Sequence, residues 1–201
     1  MRFLPSAFIL GVSLCLVFLF SFPKMARADI PPENLAQVVQ EIEYLDQMRS
    51  GLASTLEGRS EEPTPQTMQE VCKPVGMRAK QLSQENGWQV KQIASKYRNQ
   101  EHKPDSPQAV QALNRFSEDP ELLAFWQKDT LQGQEGLHYF RRINVEASCL
   151  ACHGAKDSRP KFVKEKYPQD LAFDFQVGDL RGMYSVFVPD VQQALQQALT
   201  E

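Results

Sequence analysis

The sequence lacks three features that would place it at once in a large functional class. It has no excess of positive charge, because 22 basic and 25 acidic side chains among 201 residues give a formal net charge of −3. Nucleic-acid binding depends on a basic surface, so this balance argues against it. The sequence also has no internal repeat and no low-complexity tract. After residue 29 it has no second long apolar run, so we expect no permanent membrane span there and expect any signal to pass through a separate partner.

The N-terminal segment is predicted to be a secretory leader. Residues 8–22 form an uncharged apolar run of 15, preceded by Arg2 and followed by the small residues Ala26 and Ala28. This pattern is typical of a signal peptide that is cleaved after Ala28. The run is shorter than the ~20 apolar residues that a membrane-spanning helix needs. We therefore expect the leader, residues 1–28, to be removed.

Two other interpretations of the leader stay open. Lys24 and Arg27 place positive charge after the apolar run, which favours an uncleaved anchor. A lipoprotein anchored through Cys15 is less consistent with the sequence, because Leu14 occupies a position where a small residue is required.

Cleavage would leave residues 29–201 with 19 basic and 25 acidic side chains, a net charge of −6. The expected product is an extracytoplasmic, soluble protein of the periplasm or thylakoid lumen.

The first part of the mature chain has the spacing of helices. Apolar residues recur every three or four positions from Pro32 to about Gly58, which predicts a long amphipathic helix. Residues 59–66 are polar and contain two prolines, so they are predicted to be a connector. A second helix is predicted from Thr67, the first residue of a capping-box pattern, to Asn86 and Gly87, with a kink at Pro74.

The rest of the chain changes from helical to strand-like patterns after residue 130. Residues 97–107 are predicted to be a loop. The further predicted elements are helices over Pro107–Phe116, Pro120–Gln127 and Asp190–Thr200, and strands over Leu137–Val145, Phe173–Val177 and Met183–Val188. Helices first and strands later predict an α+β fold with one antiparallel sheet. The expected division is a leader (1–28), an N-terminal helix and linker (29–66) and a domain (67–201).

The strongest chemical signal is the sequence Cys149-Leu150-Ala151-Cys152-His153. A C-x-x-C-H box is the attachment signature of c-type haem. In this arrangement Cys149 and Cys152 form thioethers to the two haem vinyl groups, and His153 is the proximal ligand of the iron. One such box predicts one covalently attached haem c.

Zinc, a redox dithiol and a simple disulfide are the alternatives for this box. A structural zinc site needs about four nitrogen or sulfur ligands, and the sequence has no second cysteine pair to complete one. A thioredoxin-like dithiol is expected to follow a strand in a βαβ unit of a cytosolic protein, and neither context is predicted. Export favours haem, because covalent haem attachment takes place outside the cytoplasm.

The residue on the other side of the iron decides much of the chemistry, because axial ligands set the redox potential. The candidates in the mature chain are Cys72, His102, His138, Met48, Met68, Met77 and Met183. Methionines are more often core residues than ligands. Cys72 stands apart, since a lone thiol in an oxidising compartment is buried, joined to another chain or bound to metal. The nearby cations Lys73 and Arg78 would favour its thiolate.

Four segments in this order resemble the PAS-like c-type haem domain family. They are Glu70-Val71-Cys72; Tyr97-Arg98-Asn99 followed by Pro104-Asp105; Glu146 to Gly154 around the haem box; and Gly178 to Val186. That family is catalogued as a domain of unknown function. It occurs as free exported proteins of oxygenic photosynthetic bacteria and as ectodomains of sensor histidine kinases. The resemblance covers about residues 35–190.

The resemblance implies a PAS-like antiparallel sheet flanked by helices, one covalent haem, and Cys72 as the distal iron ligand opposite His153. The usual Arg-Thr-Ser-Leu-Lys-x-Arg-Asn run of the family is present here only as residues 92–99, without the first Arg and Thr. Arg98 is a candidate partner for a haem propionate, because a guanidinium pairs with a carboxylate through two hydrogen bonds. Arg141 and Arg142 are alternatives, and strand alternation allows only one of them to point inward.

Three classes of function fit a single haem in an exported protein. Cys/His ligation favours a haem-based redox or gas sensor, because a thiolate that leaves reduced iron opens a site for a small gas and couples redox state to helix position. A low-potential electron-transfer carrier needs only a permanent second ligand, and Met ligation would support a carrier. A peroxidase-type enzyme needs a distal acid–base group, for which only His102 and His138 are available, so an enzyme is not expected. The partner is predicted to be an unidentified redox or signalling protein.

Overall fold

The structure is a computed structural model that describes residues 30–190. The predicted leader and the predicted helix after Asp190 lie outside these residues. The helices are α1 (Pro32–Ser54), α2 (Pro65–Val71), α3 (Lys73–Asn86), α4 (Pro107–Glu118), α5 (Leu150–His153) and α6 (Lys161–Lys166). The strands are β1 (Gln89–Ile93), β2 (Ala124–Leu131), β3 (Gln134–Asn144) and β4 (Leu180–Pro189). No helix of the described part is long and apolar enough to cross a membrane.

The four strands form one antiparallel sheet in the order β1-β4-β3-β2. The α+β class and its antiparallel sheet are therefore confirmed. One face of the sheet packs against α1 and α3 through Tyr139, Tyr184 and Val186. The opposite face packs against α4 through Phe140 and Met183. Arg141 and Arg142 consequently lie on opposite faces, as strand alternation predicts.

Helix α1 is an integral part of this core. Its residues Val38, Ile42 and Leu45 are fully buried against the sheet and α3. The predicted helix is confirmed, although it ends at Ser54 rather than at Gly58. Burial of three large aliphatic side chains contributes several kcal/mol, at about 1.5–3 kcal/mol each. The N-terminal helix and the sheet therefore share one hydrophobic core.

The second predicted helix is divided at Cys72. Helix α2 begins at Pro65 with Thr64 as its N-cap, so the capping box uses Thr67 as its last residue and not as its first. Pro74 lies in the first turn of α3, where a missing N–H costs nothing, and the helix breaks before it rather than at it. Gly87 ends α3 with φ 68°, a left-handed conformation that glycine adopts without strain.

Two predicted elements are wrong. Residues 120–127 were predicted to be a helix after Pro120, but β2 begins at Ala124 and pairs with β3 along eight residues. Cross-strand contacts such as Trp126 with Tyr139 override the local helix signal. Phe173–Val177, predicted to be a strand, is irregular, because the amides of Asp174 and Phe175 donate to the carbonyls of Gly154 and His153 and not to a neighbouring strand. Strand β1 was not predicted.

Candidate cofactor cavity

A cavity of about 500 Å³ lies where the α2–α3 junction meets the ends of β1 and β4 and the turn that carries the C-x-x-C-H box. Its volume falls in the range of small-molecule and cofactor pockets, roughly 300–1,000 Å³. Gly182 allows the two strands to approach each other at its wall. A Cβ at this position would lie 2.5 Å from the carbonyl oxygen of Ile93.

The C-x-x-C-H box forms one compact turn at this wall. A 3-10 turn over Ala147–Cys149 continues into α5, and Cys149, Cys152 and His153 all line the cavity. The thiols of both cysteines are free. The irregular segment 170–179 braces the turn from behind, since the amide of Phe175 donates to the carbonyl of His153. The tertiary fold thus places the side chains of Cys149, Cys152 and His153 at the wall of the same cavity.

The imidazole of His153 is held in the tautomer that a metal ligand requires. Its Nδ1 lies 2.8 Å from the carbonyl oxygen of Ala172, which can only accept a hydrogen bond. Nη2 of Arg98, a donor, lies farther from Nδ1, at 3.3 Å, so the shorter contact assigns the proton to Nδ1 and leaves a free lone pair on Nε2. Burial, together with the cations of Arg181 and Arg98, lowers the pKa of His153 well below its ordinary value. The ring is neutral and oriented before any metal binds.

Cys72 lies across the same cavity, at the point where α2 ends and α3 begins. Its side chain is exposed towards the cavity. Burial of the thiol among protein atoms raises its pKa, and the cations of Arg98 and Arg181 partly offset that rise. The charges of these two arginines favour the thiolate, which is the form of cysteine that binds a metal.

Two other predicted distal ligands also reach the cavity. His102 lies 2.7 Å, through Nδ1, from the carbonyl oxygen of Gln92, which leaves its Nε2 free. Met68 lies one helical turn before Cys72, and its sulfur accepts a hydrogen bond from the Tyr167 hydroxyl at 3.8 Å. Three of the seven candidate distal ligands, Cys72, His102 and Met68, therefore line the same cavity as the C-x-x-C-H box.

The other four candidates lie elsewhere. Met183 is fully buried in the sheet, and Met48 packs against the main core. Met77 is 61% exposed. His138 is buried between Asp129 and Ser185, which hold Nδ1 at 2.8 Å and Nε2 at 2.7 Å. Because both of its ring nitrogens are occupied, His138 has the structural role that is common for a buried histidine.

Arg98 lines the cavity, and the protein holds it through Nη2, whereas its Nη1 has no hydrogen-bond partner among residues 30–190. Its Nη2 donates to the carbonyl of Cys152 at 2.6 Å and to that of Ala172 at 3.4 Å. Its Nε lies 3.3 Å from the carboxylate of Asp170, whose side chain is fully buried. Arg98 therefore clamps the haem-box turn onto segment 170–179.

Arg141, the other predicted propionate partner, is not brought to the cavity. It lies on the α1 face of the sheet, where its Nε is 2.9 Å from Glu43 and its Nη1 is 3.2 Å from Asp46. Strand alternation correctly placed Arg141 and Arg142 on opposite faces, but the face of Arg141 is covered by α1 and its carboxylates. Arg142, on the other face, donates to the carbonyl of Phe116 at 2.5 Å and is also outside the cavity.

Two cavity arginines were missed by the sequence analysis. Arg49 of α1 bonds to Glu146 at 2.7 Å and to Asp46 at 2.7 Å, and its Nη1 lies 4.0 Å from the Cys149 sulfur. Arg181, at the start of β4, donates to the carbonyl of Lys96 at 3.2 Å. Burial and the neighbouring Arg98 lower the pKa of Arg181 to about 10. Arg181 belongs to the segment Gly178 to Val186, which carries part of the family resemblance, whereas no sequence motif surrounds Arg49.

The arrangement suits a large flat cofactor better than a bare metal ion. Among residues 30–190, no three side chains of His, Cys, Asp or Glu converge as the ligands of a single ion would. The thiols of Cys72, Cys149 and Cys152 and the imidazole of His153 are instead distributed around a cavity of about 500 Å³. Such a cavity can hold a planar group with a metal at its centre.

Comparisons with known proteins place the chain in a family. No curated protein matches it. Among solved structures, the chain is similar to the crystal structure of the cyanobacterial heme-protein Tll0287, with 59% sequence identity and a TM-score of 0.72. The match covers 80% of this chain and 97% of that one. The Tll0287-like family model matches residues 30–189, and the chain therefore belongs to the Tll0287-like family.

Proposed function

We propose that this chain is an exported, PAS-like, single-haem protein that senses redox state or a small gas. The observation that carries the proposal is the convergence of Cys72, Cys149, Cys152 and the free Nε2 of His153 on one cavity. The 59% identical relative is a cyanobacterial heme-protein, which supports haem as the occupant. The apolar leader supports export.

Each residue has a distinct role in this proposal. Cys149 and Cys152 hold haem c through thioethers, and His153 is the proximal ligand, fixed by its Nδ1–H bond to Ala172. Cys72 is the distal ligand; burial raises the pKa of its thiol, and the cations of Arg98 and Arg181 partly offset that rise. When bound, the haem supplies a one-electron redox centre whose potential depends on these axial ligands.

The position of Cys72 favours a sensor over a permanent carrier. It joins the seven-residue α2 to α3, so a movement of its side chain would be transmitted to both helices. Helix α3 packs against α1 in the main core. Loss of the thiolate would therefore change helix packing, and a small gas could take the vacated position on the iron. A separate redox or signalling protein would detect that change.

Electrochemical titration followed by absorption spectroscopy tests this role on the purified holoprotein. A sensor with Cys/His ligation is expected to have a midpoint potential well below zero and a thiolate-type ferric spectrum, with loss of the thiolate bands on reduction. The ferrous form is then expected to bind carbon monoxide. A positive potential with a methionine-type band, unchanged by carbon monoxide, would show a carrier instead.

Covalent attachment and export are tested on the same preparation. Haem should stay with the wild-type protein in acid–acetone, and Cys149→Ala or Cys152→Ala should release a larger fraction of it. The intact mass should correspond to one haem plus a chain that begins at Asp29. Haem extracted fully from the wild type would exclude the c-type attachment, and a retained leader would favour the membrane anchor.

A further inference from the structure

The three arginines of the cavity wall differ in what balances their charge. Arg49 is paired with Asp46 and Glu146. Arg98 shares the carboxylate of Asp170 with Arg159. For Arg181, no carboxylate oxygen of residues 30–190 lies within 4.0 Å, and its one hydrogen bond within this range is to the carbonyl of Lys96. Arg181 is therefore the wall arginine that has no carboxylate partner among residues 30–190.

The surroundings of Arg181 hold its guanidinium in place beside the haem box. Its Cζ lies 5.6 Å from the ring centroid of Phe175, and that ring contacts the imidazole of His153 edge-on at 6.2 Å. Gly182 follows it and fixes β4 closely against the end of β1. A guanidinium offers five N–H donors in a planar fork that matches a carboxylate. Most of the N–H donors of Arg181 have no partner among residues 30–190 and are available to a ligand.

We infer that Arg181 binds a carboxylate of the cavity's ligand, a haem propionate if the proposed function is right. The cofactor would bring two carboxylates into a wall where Arg49 and Arg98 already contact carboxylates of the protein. Lys73 and Lys166 also border the cavity, but both are exposed. Their ammonium groups keep much of their hydration, so they gain less from a carboxylate. Arg181 thus takes the place that the sequence assigned to Arg98 or Arg141.

A comparison of haem with its dimethyl ester tests this inference, because the ester lacks only the free carboxylates. The background is the full-length chain with Cys149→Ala and Cys152→Ala, which makes binding reversible. In this background, the chain that keeps Arg181 is expected to bind haem about tenfold or more tightly than the ester, as a charge-assisted hydrogen bond would give. Arg181→Met should remove most of that preference, while Lys166→Met should keep it.

A second measurement uses the covalent holoprotein, so the test does not depend on the double-alanine background. The carboxylate stretching bands in the infrared difference spectrum of haem reduction should shift in Arg181→Met and not in Lys166→Met. An unchanged spectrum in Arg181→Met, or loss of the preference in Lys166→Met, would overturn the inference while haem binding stands. A wild-type chain that takes up neither haem nor ester would instead refute the proposed function.

Discussion

At the scale of single residues, the cavity is assembled from side chains that each need a tertiary partner. His153 depends on the carbonyl of Ala172 for its tautomer, and Arg98 joins that same segment to the carbonyl of Cys152. Asp170 accepts hydrogen bonds from Arg159 and from the amide of Ala172, and it forms an ion pair with Arg98. The side of the cavity that carries the C-x-x-C-H box is thus a buried polar network rather than a set of independent side chains.

Arg98→Met is predicted to destabilise the fold more than Arg141→Met. Arg98 and Asp170 are 11% and 0% exposed, so the substitution leaves a buried carboxylate with Arg159 as its remaining cation. Loss of one partner of a buried pair costs about 3 kcal/mol. Of the two partners of Arg141, Glu43 is 41% exposed and Asp46 keeps its ion pair with Arg49, so the loss there should be about 1 kcal/mol or less.

Urea unfolding of the two variants measures this difference directly. Equal losses of unfolding free energy, or a larger loss in Arg141→Met, would mean that the clamp on the haem-box turn is not a main contributor to stability.

At the scale of elements, the site depends on the close approach of β4 to the end of β1. Gly182→Ala places a methyl group against the carbonyl of Ile93 and the side chain of Ala94. We expect a loss of about 1–3 kcal/mol in unfolding free energy, because backbone must move to admit the Cβ. Gly51→Ala is the matched control, since Gly51 lies within α1 and has nothing within 4 Å of the added atom.

The control has an opposite expected sign, because alanine is the better helix former by about 0.5–1 kcal/mol. Thermal and urea unfolding of both variants are the measurements. A Gly182→Ala protein as stable as the wild type would show that the strands can separate there without cost.

At the scale of the whole molecule, stability should decrease on acidification in a way that depends on His138. Burial lowers the pKa of His138, although its bond to Asp129 opposes that shift. The folded protein therefore holds the ring neutral, and its contribution is present above the unfolded pKa of about 6.5 and lost as pH falls below it. His138→Gln keeps a hydrogen-bonding side chain that does not titrate.

The measurement is unfolding free energy between pH 7 and pH 5 for the wild type and His138→Gln. The wild type is expected to lose stability more steeply over this interval. Parallel curves would indicate that the ring between Asp129 and Ser185 is charged in the folded state as well.

The sequence predicted the local features of this molecule better than the long-range ones. The C-x-x-C-H turn, the long first helix and the helix at Pro107 carry their signals within a few residues. Strand β2 and the irregular segment 170–179 depend on partners far along the chain, so local propensity gave the wrong structure for both. The charge balance of Arg141 and Arg181 likewise depends on which elements face each other in the fold.

The central claim is that Cys72 is the distal iron ligand, and the ferric absorption and electron paramagnetic resonance spectra of Cys72→Ala test it most directly. Met68→Leu is the control, because Met68 lines the same cavity one turn earlier. The account predicts that Cys72→Ala keeps its covalent haem but loses the low-spin thiolate signature, which Met68→Leu retains. An unchanged ferric spectrum in Cys72→Ala would contradict it.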